Sequence, residues 1–305
     1  MTNLLSAHFA RLWRSAWFWV GSVAMAWIAW RSVEGARTLA NYGEPVSILS
    51  YALNFVLVLL IALPVFAAVF LNADYYYGVI RNKLTVGQRR GAVYLSDLIL
   101  VASVGLIYTG VYLGVLLGFG LPQVGAGERF PLLPGWGEVA PKLAASLAVI
   151  LAIGAMSVLL ARLMTHRAVP LAALGLALAL IFAARTADQM LLTPAEVPSY
   201  DEIVPIMDES GRTVKGYRKD GVDYTLEDCP TEPNPEYMGE PLHAALAFAQ
   251  NFSPAGQAYQ LYSDTVSGPV SALPPPPGVL AGFALGFTAA ATGLGLAVFQ
   301  RKDLK

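Results

Sequence analysis

The chain has 305 residues, of which 56% are hydrophobic and 13% are charged. Because soluble domains carry about a quarter charged residues, this composition excludes an ordinary soluble protein and indicates a membrane protein. The formal net charge of −1 favours no nucleic-acid partner, and the lone cysteine, Cys229, excludes an intramolecular disulfide and a cysteine zinc site.

The N-terminal segment, residues 3–19, has the pattern of an amphipathic helix. Arg11 and Arg14 lie off an apolar face that consists of Leu5, Phe9, Leu12, Trp13 and Ala16. Such a helix is expected to lie in the cytoplasmic membrane interface and to turn into the first membrane span. A plain cytoplasmic extension of that span is the alternative.

Six apolar segments are long enough, or nearly so, to cross a bilayer, which takes about 20 residues of helix. They cover residues 15–31, 50–72, 93–119, 142–163, 168–184 and 278–299. We therefore predict an all-α polytopic membrane protein with six transmembrane helices. Residues 1–184 would form the amphipathic helix and five spans, residues 185–277 a small α+β extracellular domain, and residues 278–305 the sixth span and a basic tail.

Charged residues are distributed unevenly over the two sides of these spans. The N-terminus, residues 73–92, residues 162–167 and the C-terminus carry eleven of the 20 lysines and arginines. With Asp97, the same side carries only three of the 21 acidic residues. Because cations are retained on the cytoplasmic side, both termini are predicted to be cytoplasmic.

The loop between the second and third spans, residues 74–90, has the sequence DYYYGVIRNKLTVGQRR and is called the elbow below. Its cations are Arg81, Lys83, Arg89 and Arg90. Gly78 and Gly87 are expected to supply tight turns, and Ile80 and Leu84 would share one face of a short helix. Retention of positive charge on the inside explains the cations, but it explains neither the glycines nor the apolar pair.

No motif of a catalytic or metal site is evident. The sequence lacks HExxH, GxSxG, paired intramembrane aspartates and a phosphate-binding loop. His8, His166 and His243 fall on both predicted sides of the membrane. The chain is therefore expected not to be an enzyme. Asp97 lies within one turn of a span end and is expected to be reachable by water and paired with a basic residue of the preceding loop.

Two predicted spans carry glycines at four-residue spacing, which lets helix backbones approach closely in lipid. These glycine stripes are Gly110, Gly114 and Gly118 in the third span and Gly278, Gly282 and Gly286 in the sixth. Two interpretations are open, namely helix packing within one subunit and a dimer seam.

The long connection contains both strand and helix patterns. Residues 203–226 hold short β-prone runs separated by ESGR and KDG, which predict a three-stranded meander. Residues 241–252 and 255–264 predict two short helices. A small core is expected from Ile203, Val214, Tyr217, Tyr224, Leu246, Phe248 and Tyr259.

The elbow resembles the intracellular loop of permease subunits of bacterial type-2 ABC transporters, in which an acidic residue and a tyrosine open a GTIRNKL-like run. The matching residues are Asp74, Tyr75, Gly78, Ile80, Arg81, Asn82, Lys83, Leu84, Gly87 and Arg90. The N-terminal amphipathic segment, the end of the outer segment and the basic terminus FQRKDLK are similar to those of the same family.

The resemblance implies a multi-pass subunit of the bacterial cytoplasmic membrane that contacts lipid and pairs with itself or with a homologous permease. A separate ABC ATPase would bind through the elbow residues and would hold ATP and magnesium, so this chain would bind no cofactor. Such permeases export a small molecule, a peptide or a lipid by alternating access. Two alternatives stay open: a sensing or force-transmitting module driven by an ABC ATPase, and a channel or carrier without an ATPase.

Overall fold

A computed structural model describes residues 2–76, 79, 85, 87–126, 135–163, 168–207, 213–225, 228–266 and 275–301. Within these ranges the protein is mainly helical and carries five short strands. The helices are α1 (Thr2–Trp13), α2 (Ala16–Asn41), α3 (Asn54–Tyr76), α4 (Arg90–Gln123), α5 (Trp136–Leu163), α6 (Val169–Leu191), α7 (Glu240–Phe252), α8 (Pro254–Val266) and α9 (Pro277–Arg301), with a 3-10 turn at Ile48–Tyr51 before α3.

In the described part of the chain, five helical segments are long and apolar enough to cross a membrane. They are Ile48–Asp74, which combines the 3-10 turn with α3, and the helices α4, α5, α6 and α9. These segments coincide with five of the six predicted spans and are those of a multi-pass membrane protein. The first predicted span, residues 15–31, lies in α2, which is not one of the five. The count of six stays a prediction.

The helices α3 and α5 form the centre of the bundle. In their apolar stretches 61% and 67% of the residues are buried, against 22% for both α6 and α9. Helix α3 packs against α5 and α6, α5 packs against α9, and α2 packs against α4. Since α6 and α9 bury so little, most of their apolar side chains face outward, as expected of helices at the lipid boundary.

The closest helix approaches do not lie at the predicted glycine stripes. A Cβ added at Gly21 would lie 2.1 Å from Tyr108 Oη, and one at Gly105 would lie 2.7 Å from Ile150. At Gly110, Gly114, Gly118, Gly278 and Gly282, such a Cβ would have no neighbour within 4 Å in the described structure. At Gly286 the one such neighbour is Phe252. The stripes therefore contribute no close packing among the described residues, and the dimer seam stays a prediction.

The predicted three-stranded meander is confirmed. Strands β2 (Glu202–Met207), β3 (Thr213–Lys219) and β4 (Val222–Tyr224) pair antiparallel in that order, and β1 (Glu196–Pro198) pairs with β5 (Thr231–Pro233) in a second sheet. At the turn between β3 and β4, Asp220 and Gly221 have φ values of 52° and 79°. A type I′ turn has positive φ at both central residues, so this is a type I′ hairpin. The KDG motif had predicted a hairpin turn here.

A cross-strand ion pair joins β3 to β4. The Arg218 Nε donates to Asp223 Oδ1 at 2.6 Å, and this hydrogen bond lowers the pKa of the Asp223 carboxyl. A folded-state pKa below the unfolded value contributes stability at neutral pH that is lost only as the pH falls through the lowered pKa. Both side chains are exposed, so solvent screens the pair and the contribution is small.

The expected core of the outer segment is wrong at two positions. Ile203 and Phe248 are 51% and 58% exposed, whereas Val204 and Cys229 are buried. Successive side chains of a strand point to opposite faces, so burying Val204 turns its neighbour Ile203 outward. Phe248 instead stands edge-on to Phe283 of α9, with ring centroids 6.0 Å apart.

The two predicted outer helices are confirmed as α7 and α8, which we call the hairpin. His243 at the start of α7 lies 3.3 Å from the carbonyl oxygen of Leu191, and the Gln250 Nε2 donates to that of Ala184 at 3.0 Å. Helix α7 thus runs back along α6 for seven residues, or about 10 Å. Helix α8 then packs against α3, α5 and α6. The hairpin is therefore part of the helix bundle.

The charge distribution predicts that residues 185–277 face outside and that α1 lies on the cytoplasmic side. Native Cys229 is only 6% exposed, so we would replace it by serine and introduce single cysteines at two exposed positions, Glu236→Cys and Ala10→Cys. A membrane-impermeant maleimide should label the Glu236→Cys variant in intact cells, and the Ala10→Cys variant only after permeabilisation. The reverse pattern would contradict the predicted orientation.

Candidate functional site

The first residue of the elbow, Asp74, is held by the N-terminal helix. Its buried carboxylate accepts a hydrogen bond from Arg11 of α1, and the same guanidinium donates to the carbonyl oxygen of Phe70. The guanidinium carbon also lies 3.9 Å from the centroid of the Phe70 ring, a cation–π contact. These three contacts fix α1 against the end of α3.

A second charged pair joins α4 to α5. Arg162 near the end of α5 donates from Nε to Asp97 Oδ2 of α4 at 3.0 Å, and its terminal nitrogen donates to the same oxygen. Asp97 is 0% exposed and Arg162 is 3% exposed, so the expectation that water reaches Asp97 is wrong. Burying both charges costs desolvation energy, which their close pairing offsets.

His8 joins α1 to this pair. Its Nδ1 lies 3.8 Å from Asp97 Oδ1, and the imidazole is buried. The buried face of α1 comprises Leu4, His8 and Leu12, whereas Trp13, which was expected on the apolar face, is half exposed. The face of α1 that packs on the bundle thus includes His8. The predicted position of the apolar face in the membrane interface stays a prediction.

The last residue of the elbow, Arg90, is tied to the end of α9. Its guanidinium donates to the carbonyl oxygen of Gln300 at 2.9 Å and to that of Phe299 at 3.4 Å. The last carbonyls of a helix have no partner within the helix, so a cation there satisfies them and interacts favourably with the helix dipole. The Arg162 guanidinium carbon lies 5.5 Å from the Phe299 ring centroid, so the end of α9 contacts both Arg90 and Arg162.

The structure describes only part of the predicted elbow. Gly87 adopts a φ of 87°, the left-handed geometry that glycine was expected to supply before α4. Tyr75 lies in the last turn of α3, but its side chain is outside the described part. The residues Gly78, Ile80, Arg81, Asn82, Lys83 and Leu84 lie outside the described residues, so the shared face of Ile80 and Leu84 stays a prediction.

Three residues that hold this site were not predicted from the sequence, namely His8, Arg11 and Arg162. Arg11 lies 63 positions from Asp74 and Arg162 lies 65 positions from Asp97, so no local spacing indicates either pair. The position of Arg11 off the apolar face was the one available signal. The fifth span was predicted to end at residue 184, whereas α6 continues to Leu191.

The contacts of this site are ion pairs and hydrogen bonds between helix ends. Among the described residues, no group of three His, Cys, Asp or Glu side chains could hold a metal ion. What the site can do is join the ends of α1, α3, α4, α5 and α9 through Arg11–Asp74, His8–Asp97–Arg162 and Arg90. We call this set of contacts the charged layer.

Comparison with known proteins found no match: neither a family model nor a curated protein is similar to this chain. The resemblance to type-2 ABC permeases therefore depends on the residues of the elbow, the outer segment and the two termini. The charged layer ties the described ends of the elbow to the helix bundle.

The buried pair predicts a large loss of stability when one partner is removed. Asp97→Asn leaves the Arg162 guanidinium buried beside a neutral amide, a change that costs about 3–5 kcal/mol. The double variant Asp97→Asn with Arg162→Met removes the uncompensated charge and should recover most of the loss. Thermal unfolding of the detergent-solubilised protein measures both effects.

The exposed pair on β3 and β4 is the control for this experiment. Asp223→Asn also removes the carboxylate partner of an arginine, but in solvent, so its unfolding midpoint should stay near that of the unmodified protein. If Asp97→Asn unfolds at the same temperature as Asp223→Asn, the buried pair does not hold the helix ends.

Proposed function

We propose that this chain is the permease subunit of an ATP-driven exporter of the type-2 ABC class, in the bacterial cytoplasmic membrane with both termini cytoplasmic. One observation carries the proposal: both ends of the elbow are attached to other helices of the bundle. Asp74 is bound by Arg11 of α1, and Arg90 is bound to the last carbonyls of α9. A partner that displaces the elbow would therefore displace α1, α3, α4 and α9 together.

The burial of Asp74 and Asp97 supports a mechanical role for this end of the bundle. A loop that only retains cations on the cytoplasmic side needs no buried carboxylate, and burying one is unfavourable unless it is paired. The Asp97–Arg162 pair extends the connection from α4 to α5, which lies at the centre of the bundle. Movement at the elbow would thus reach the packed core rather than end in a flexible loop.

The proposal assigns ATP and magnesium to a separate ATPase subunit. Arg81 and Lys83 would meet acidic or carbonyl groups of that subunit, and Ile80 and Leu84 would enter an apolar pocket. Each apolar side chain buried in this way contributes roughly 1.5–3 kcal/mol. A second permease, identical or homologous, would complete the substrate path, with the glycine stripes as the proposed seam.

In this proposal α2 is the first of six spans. It has 26 residues, which at 1.5 Å per residue gives about 39 Å, more than the roughly 30 Å of a hydrocarbon core. Trp17, Trp19, Trp27 and Trp30 are exposed along it. Tryptophan is enriched where a helix passes through the membrane interface, so Trp17 and Trp19 would lie near the interface at which α2 enters the membrane.

Charge reversal in the elbow tests the proposal. We expect the double variant Arg81→Glu with Lys83→Glu to reduce copurification of an ATP-hydrolysing subunit with the tagged chain at least tenfold, because breaking buried charge pairs at an interface costs roughly 2–5 kcal/mol. Leu84→Ala should reduce it less. The measurement is capture from native membranes, with the captured subunit identified by its phosphate-binding loop and its ATPase activity.

The matched control reverses two cations at the same end of the bundle but outside the elbow, Arg14→Glu with Arg301→Glu. Both side chains are exposed, so this variant should insert and bind the ATPase normally. Equal capture by the two double variants would mean that the elbow only retains positive charge.

Two further outcomes separate the alternatives. If the unmodified chain captures no ATPase, a channel or carrier without a motor becomes the better assignment. If it captures an active ATPase but inverted vesicles take up no candidate peptide, amphiphile or lipid, the sensing or force-transmitting module is favoured.

A further inference from the structure

Asp188 is a buried carboxyl that does not belong to the charged layer. It lies in the last turn of α6 and is 3% exposed. The other two buried acidic residues that the structure describes, Asp74 and Asp97, are each bound by an arginine. The Asp188 side chain forms no hydrogen bond and no ion pair with any described residue, and its Oδ1 is buried without a donor. This carboxyl therefore lacks the cation that accompanies the other two.

Asp188 lies between the two contacts that hold the hairpin on α6. Gln250 donates to the carbonyl oxygen of Ala184, four residues before Asp188, and His243 lies 3.3 Å from that of Leu191, three residues after it. Helix α7 runs antiparallel to α6, so the part of α7 between these contacts, residues 244–249, passes beside Asp188. These six residues carry no ionisable side chain. The hairpin thus meets this turn of α6 with an apolar stretch.

The ionisable groups around Asp188 do not neutralise it. Arg185 of α6 is exposed and forms no ion pair with it, and His243 is directed at the Leu191 carbonyl oxygen. Burial raises the pKa of the Tyr259 phenol of α8, and the Asp188 charge raises it further, so the two groups are close. Tyr262 packs on Tyr259, and neither phenol brings a positive charge. Helix α3, which also packs on α6, has no ionisable side chain in its first three turns.

An ionised carboxylate without a partner is costly to bury, and a carboxylic acid costs much less. We propose that Asp188 is a proton-binding site and that the bound proton holds the hairpin on α6. In a separated hairpin the carboxyl would be hydrated and would ionise above about pH 4, as an ordinary aspartate does. With residues 185–277 outside, as predicted, the proton would come from the outer solution.

The sign of the pH dependence follows from the number of protons that each state binds. Above about pH 4 the docked state keeps a proton that the separated state releases. Docking is therefore strongest in acid and weakens as the pH rises, until the docked carboxyl also ionises. One proton changes such an equilibrium by at most tenfold per pH unit. The inference goes beyond the proposed function and requires no ATPase.

Hydrogen exchange of the amides in residues 244–249 tests the inference on the full chain in lipid nanodiscs. Protection factors, which correct for the direct effect of pH on the intrinsic exchange rate, would be compared at pH 4.5 and pH 7.5. We expect them to be at least about tenfold lower at pH 7.5, within the roughly thousandfold limit of one proton over three pH units. Equal protection at the two pH values would overturn the inference.

Two variants assign the effect to Asp188. Asp188→Asn has the shape of the protonated acid and stays neutral, so its protection at pH 7.5 should match that of the unmodified chain at pH 4.5. Asp188→Leu, which is also neutral, replaces it if the amide variant does not fold. His243→Gln removes the histidine and keeps an N–H donor for the Leu191 carbonyl oxygen, so it should keep the pH dependence. If His243→Gln loses it and Asp188→Asn keeps it, the histidine binds the proton and the inference is wrong.

The matched control is Glu236→Gln, which removes an exposed carboxyl four residues before α7. Its protection should depend on pH as in the unmodified chain. If Glu236→Gln and Asp188→Asn abolish the dependence equally, it reports the total charge of the outer segment and not a site at Asp188. A failure of ATPase capture would leave these results unchanged, so the proton site and the proposed function can fail independently.

Discussion

Two opposite charges removed from water, Asp97 and Arg162, set the arrangement of the helix ends around them. Each would be costly to bury alone, so burial at this position requires that α4 and α5 hold carboxylate and guanidinium in hydrogen-bonding contact. The neighbouring contacts follow from this constraint. His8 places α1 beside Asp97, and Phe299 of α9 packs near the Arg162 guanidinium.

Both ends of the elbow are anchored in the charged layer. If the residues that flank the loop were solvated, a partner could displace the loop without moving any helix, because the loop would bend. Here Asp74 and Arg90 are bound to helices α1 and α9, which are distant from the elbow in sequence. In the proposed coupling role, displacement of the elbow would be passed to helices that cross the bundle.

At the opposite end of the bundle, buried side chains pair with backbone carbonyl oxygens rather than with opposite charges. The hairpin enters beside α6, and its buried glutamines bond to backbone carbonyls and to Asn251. Polar side chains at this depth must find partners, because apolar surroundings cannot supply them.

Local properties were predictable from the sequence. Apolar length located five helical segments, and alternating patterns with the KDG turn located the meander, because both depend on neighbours within a few residues.

The partners of Asp74 and Asp97 were not predictable. Twenty lysines and arginines are available in the chain, and only the packing of α1 on α3 and of α5 on α4 selects Arg11 and Arg162. The helical pattern of α7 and α8 was likewise visible, but a short amphipathic helix can bury its apolar face against lipid, a sheet or a bundle. Tertiary packing decided that it enters the bundle, because only there do Gln250 and His243 meet the carbonyls of α6.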